Sequence, residues 1–147
     1  MAAMKGHLTG MQGVYLVAAE LSARGFVVSP TLRNAAGADL LVTDGQCRKS
    51  WSVQVKTNSG AAKFWLLNKD AAEARSDSHV YVFVNLRKNT GKPPQFAAVP
   101  SRRVADEMES VTRSTGSVWY SFSHSFPKDG SCDSVGWEAF GNSAIAG

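Results

Sequence analysis

The run HVYVFVNL, residues 79 to 86, is the most continuous apolar stretch in the chain. A strand with one wet face alternates apolar and polar residues, whereas a run without that alternation is covered on both faces. The chain must therefore place this strand inside a sheet and supply layers on either side of it. With 147 residues, 44% of them apolar, it is long enough to do so in one compact domain. We expect a single domain over residues 1–147, with a core over about 11–111 and a tail over about 112–147 packed against it.

The remaining patterns agree with such a layered arrangement. Val14, Val17, Ala18 and Leu21 recur at helical spacing and Gly25 supplies a stop, so residues 11 to 24 read as an amphipathic helix. FVVSP (26–30), ADLLVT (38–43) and WSVQVKT (51–57) read as three strands of a meander, the last two joined by the polar turn DGQCRKS. A short helix is expected from about Lys69 to Arg75. A further strand is expected over FAAV (96–99), and a late helix after Pro100 with Ser101 as its N-cap. RKNTGKPPQ reads as a loop. The order α-β-β-β-α-β-β-α describes an α/β fold with a central mixed sheet flanked by helices.

Sixteen Lys and Arg against twelve Asp and Glu give a net charge of +4, which suits a polyanionic partner without requiring one. Cys47 and Cys132 have no metal-ligand spacing and no disulfide framework, so a reducing cytosol is the expected setting. The first 26 residues are interrupted by Glu20 and Arg24 and read neither as a signal peptide nor as a membrane span.

The chemistry lies in the meander. Alternation in WSVQVKT sends Val53 and Val55 to one face and Ser52, Gln54 and Lys56 to the other. If the preceding strand pairs through the intervening turn, Asp39 comes near Gln54 and Lys56. A hard divalent cation such as Mg²⁺ takes oxygen ligands and keeps several waters. Asp39 would be its anionic ligand, the Gln54 amide oxygen a neutral one and the Val55 carbonyl a third. Lys56 beside it could orient or deprotonate an attacking water and offset charge building on phosphorus. These residue types point to phosphodiester hydrolysis with Mg²⁺ or Mn²⁺.

Asp39, fourteen residues, then Gln54-Val-Lys56, set behind a helix and a strand-turn-strand unit, resembles the PD-(D/E)XK nuclease superfamily in its QxK form. The segments GFVVS, GADLLV and VQVKT are similar to the Holliday-junction-resolvase branch, over roughly residues 11 to 100. The resemblance implies a restriction-endonuclease-like fold, a metal-dependent endonuclease, DNA favoured over RNA as substrate, and a homodimer that cuts two strands. It also implies an additional Glu on the first helix, eleven positions before the closing Gly25, and Val14 stands there. Glu20 is the acid that helix does carry; it is a candidate for the site or a partner for Arg24 at i+4.

Arg33, Asn34 and Lys63 flank the proposed site in sequence and are candidates for contacts with backbone phosphates. Arg102 and Arg103 open the late helix, either solvated or inviting an anion. His7, His79 and His124 are scattered and read as surface or strand-end residues, and Trp51, Trp65, Trp119 and Trp137 as packing residues. The alternative to an active nuclease is a catalytically silent relative that binds nucleic acid or a protein partner through the same scaffold, and Val14 is the feature that argues for it.

Overall fold

The computed structural model of the chain describes residues 1–32 and 37–141. Helix α1 spans Ala2–Ala23 and is followed by β1 (Val27–Pro30), β2 (Leu40–Thr43) and β3 (Ser50–Asn58). Next come β4 (Phe64–Leu67), a 3₁₀ turn (Lys69–Ala72), β5 (His79–Asn85), β6 (Gln95–Pro100) and α2 (Ser101–Glu107). The tail contributes β7 (Glu109–Thr112), β8 (Val118–Ser123), β9 (Ser134–Val135) and a second 3₁₀ turn (Trp137–Phe140).

The main sheet runs β1-β2-β3-β5-β6-β9, and β4-β8-β7 form a second, smaller one. The first three strands are an antiparallel meander, β3 and β5 are parallel, and β5 and β6 are antiparallel. This mixed sheet flanked by helices is an α/β architecture.

β5 is buried on both faces, as its unbroken apolar run requires. Val80, Val82 and Val84 meet Val17 and Leu21 of α1, together with Leu40, Val42, Val53, Trp137 and Phe140. Tyr81 and Phe83 point the other way, against Trp65, Leu67, Ala71, Val104 and Phe122. There Phe83 stacks on Phe122 at 4.7 Å, and the Trp65 indole donates to the Val84 carbonyl at 3.0 Å.

Several boundaries differ from the sequence expectation. α1 begins nine residues earlier than residue 11, at Ala2, because its first half is exposed and leaves no buried stripe for periodicity to detect. The expected helix at Lys69 is a 3₁₀ turn ending at Ala72. β4 is unforeseen because Phe64 and Leu66 are apolar yet exposed, which erases the alternation that marks a strand. Ser101 is not an N-cap: Pro100 holds that position, and the Ser101 hydroxyl instead donates to the Ser76 carbonyl and accepts from its amide. Trp119 is not a packing residue; it is 42% exposed, with the Arg113 guanidinium 3.9 Å from its ring centroid. Among the described residues no helix is long and apolar enough to cross a membrane.

α1 lies close against the sheet because its buried stripe is Gly13, Val17 and Leu21. A Cβ added at Gly13 would sit 1.9 Å from the Thr57 hydroxyl oxygen, and that oxygen is buried with no hydrogen-bond partner. We therefore expect Gly13→Ala to destabilise the protein by about 1–3 kcal/mol through overpacking, outweighing the roughly 1 kcal/mol that Ala gains in helix propensity. Adding Thr57→Ala should restore part of the loss, since it removes the closest clashing atom, the unsatisfied hydroxyl, while the Thr57 Cβ stays. Urea unfolding of the single and double variants checks this; a Gly13→Ala protein as stable as the parent would show that α1 can slide away from β3.

Candidate active site

Asp39 sits immediately before β2, where the antiparallel pairing of β2 with β3 matches Leu40 to Val53. Continuing that register by one residue sets Asp39 opposite Gln54. Its backbone amide donates to the Val53 carbonyl at 2.7 Å, and its carboxylate Oδ2 accepts from the Val55 amide at 2.8 Å. The carboxylate is thus fixed by the strand that carries the rest of the group. In a strand, the N–H and C=O of one residue leave along the same edge, so the Val55 carbonyl faces the edge on which Asp39 sits.

Lys56 lies on the same face of β3 as Gln54 and is half-buried. Burial pushes its ammonium below the ordinary lysine value, while the Asp39 charge acts in the opposite direction. The lowered value has a stability consequence. The unfolded chain binds the proton more tightly than the folded one, so this group costs stability at neutral pH, and the cost is relieved as pH rises toward the ordinary lysine value. Lys56→Met should therefore stabilise the metal-free protein near pH 7, with a gain that shrinks on the way to alkaline pH. Urea melts across that range check it; a gain that grows with pH would contradict the sign.

Gln54 and Lys56 line a cavity of about 130 Å³ together with Gly37, Asn68, Asp70, His79 and Tyr81. The parallel register of β3 with β5 brings Ser52 beside His79 and Gln54 beside Tyr81. The Ser52 hydroxyl and His79 Nδ1 are 2.6 Å apart, and burial lowers the proton affinity of His79. Burial also raises the Tyr81 phenol, with the Asp70 charge adding to it. No local sequence signal marks Asp70, Asn68, His79 and Tyr81 as site residues, since only the order of strands places them beside Gln54.

On the other side of Asp39 is a larger cavity, about 430 Å³, lined by His7, Met11, Val14 and Tyr15 of α1 and by Pro30, Thr31, Leu32 and Ala38. Val14 thus shares a cavity wall with Asp39 and presents an apolar side chain to it. Glu20 is not brought there. It lies six residues further along α1, about 9 Å by helical rise, and pairs with Arg24 at 2.6 Å, while Arg24 also stacks 4.4 Å over the Trp137 ring.

Among the described residues no three His, Cys, Asp or Glu side chains converge on a metal position. Gln54 lines the smaller cavity and Asp39 the larger one; as a donor set, one carboxylate with the neutral oxygens of Gln54 and Val55 is hard, which fits Mg²⁺ or Mn²⁺ in kind and implies weak binding, because affinity rises with ligand charge. Arg33 and Asn34 lie outside the described residues. Lys63 is placed beyond the end of β3, in a separate concavity. Arg102 and Arg103 are engaged with Asp77 and Glu107, at 3.2 and 2.8 Å.

No family model matches the sequence, and no curated protein matches it. Among solved structures, the chain is similar to Hjc, a Holliday junction resolvase from the archaeal hyperthermophile Archaeoglobus fulgidus, with a TM-score of 0.46 and 16% identity, over 74% of this chain and 86% of the other.

Proposed function

We propose that the chain is a metal-dependent endonuclease that hydrolyses phosphodiester bonds in DNA. The observation that carries this reading is the Asp39 carboxylate held on the Val55 amide at 2.8 Å, with Lys56, from the same strand, half-buried within its field. Asp39, the Gln54 amide oxygen and the Val55 carbonyl would hold Mg²⁺ or Mn²⁺. Such an ion, when bound, polarises the scissile phosphate and makes a water more acidic.

The chain's own residues do the rest. Asp39 cannot swing away without giving up its bond to Val55, so the acid is preorganised at the start of β2. Lys56 orients the attacking water; burial eases loss of its own proton to solvent, after which Nζ can take a proton from that water as the water oxygen bonds to phosphorus, the leaving P–O bond breaks and the departing oxygen takes a proton from solvent. As an ammonium it offsets the charge that builds on the non-bridging oxygens. The setting is a reducing cytosol, and two chains acting together would serve a two-stranded substrate.

The test is cleavage of supercoiled plasmid, single-stranded DNA, a four-way junction and RNA, each with Mg²⁺, Mn²⁺ or EDTA. The expected result is metal-dependent cutting of DNA that disappears in EDTA and in Lys56→Met. Val14 on the wall of the Asp39 cavity supports a second reading, a silent nuclease fold that only binds. Tight binding of nucleic acid with no cutting of any of the four substrates would favour it.

A further inference from the structure

Beyond the end of β3, on the face that carries Gln54 and Lys56, lies a concavity of about 300 Å³ with a basic rim. Three segments distant in sequence supply its cations: Lys63 from the β3–β4 connection, Arg87 and Lys92 from the β5–β6 loop, and Lys128 from the tail after β8; Arg87 is paired with Asp133. The tail is held in place by pairing of Phe64 with Ser123 and by the His124 amide, which donates to the Lys63 carbonyl at 2.9 Å. The β5–β6 loop is shaped by left-handed backbone at Arg87, Asn89 and Gly91.

The neighbouring carboxylates do not neutralise this rim. Asp133 accepts from Arg87 at 2.7 Å and from Gln95 at 2.9 Å, and Lys92 acts on it only through space. Asp129 accepts from the Ser131 amide at 2.9 Å. None of the three lysines has an ion-pair partner among the described residues. The fold thus gathers three lysines without ion-pair partners around one hollow, an arrangement that suits a polyanion.

Its position says which polyanion. Lys56 is two residues from the end of β3, about 7 Å along the strand, and the connection leading to Lys63 starts there. Duplex DNA carries a charge roughly every 1.7 Å of its axis. A duplex cut beside Asp39 and Lys56 therefore has backbone phosphates to offer this hollow. We infer that Lys63, Lys92 and Lys128 form a phosphate-tracking subsite that holds the DNA backbone flanking the cut. This rests on the nuclease reading for the identity of the strand, and it gives the tail, through Lys128, a role in substrate binding.

The experiment is fluorescence anisotropy of a labelled DNA duplex with the full chain in EDTA, at a series of salt concentrations, for the parent, Lys92→Ala/Lys128→Ala and Asp39→Asn, with plasmid cleavage in Mn²⁺ alongside. Circular dichroism confirms that each variant is folded. Each lost phosphate contact should reduce the slope of log affinity against log salt by about 0.9, so the double variant should be shallower by about 2, with binding about tenfold or more weaker at low salt. Asp39→Asn serves the cleavage arm, where it separates cutting from binding. An unchanged slope and affinity in the double variant, while the parent cuts through Asp39, would overturn the subsite and leave the nuclease reading intact. Binding that depends on the lysines without any cutting would keep the subsite and remove the nuclease reading. Inorganic phosphate at constant ionic strength should leave the duplex bound; selective displacement would mark a free-anion site and overturn the assignment to a strand.

Discussion

Asp39→Asn is expected to lower the cleavage rate by about a thousandfold or more while leaving the protein folded. The loss follows from charge. Asp39 is the one carboxylate in the proposed donor set, and a metal's stabilisation of the transition state is worth several kcal/mol, with each 1.36 kcal/mol amounting to tenfold in rate. The preserved fold follows from hydrogen bonding. Asn keeps a carbonyl oxygen to accept from the Val55 amide, which now donates to Oδ2 at 2.8 Å. Asp39→Ala removes that acceptor as well and should cost about 1–3 kcal/mol of stability if the amide is left unsatisfied. Comparing the two by urea melts and by plasmid cleavage separates the catalytic from the structural part of Asp39. An Asn variant that still cuts at the parent rate would show that the charge has no part in the reaction.

The second large effect is a gain. Val14 lines the same cavity as Asp39, on the face of α1 that Gly13 brings against β3. Val14→Glu places a second carboxylate on that wall, and ligand charge is what sets the affinity of a hard cation site. The variant should need about tenfold less Mn²⁺ or Mg²⁺ for half-maximal cutting and should cut faster at limiting metal. Val14 is partly buried against the α1 side of the core, so a stability loss of about 1 kcal/mol is expected with it. The measurement is the metal dependence of plasmid nicking in the parent and the variant. An unchanged metal requirement would mean that this wall of the cavity does not reach the ion.

Strand and helix patterns carried much of the fold. The run at residues 79 to 86 does lie in the middle of a sheet covered on both faces, and the alternation in residues 51 to 57 does separate Val53 from Gln54 and Lys56. The proximity of Asp39 to that strand follows from a short turn and antiparallel pairing, both local. What the sequence hid is non-local. His79 and Tyr81 border Gln54 because β5 runs parallel to β3, a pairing that no short-range signal marks. Asp70 arrives through a 3₁₀ turn that reads as the start of a helix. Gly13 is silent in a hydrophobic pattern although it decides how near α1 approaches. Glu20 was ambiguous in sequence because i+4 pairing and reach toward the site are both compatible with one helix; the structure gives it to Arg24. The three lysines come together only once the tail has paired with β4.

Asp39 is proposed to anchor a divalent cation beside Lys56. The most direct test of this is a Mn²⁺ titration followed by electron paramagnetic resonance, comparing the parent protein with Asp39→Asn. Saturable binding of Mn²⁺ by the parent, displaced by Mg²⁺ and lost in Asp39→Asn, is the expected result. Mn²⁺ binding that is the same in both proteins would place the ion elsewhere and contradict it.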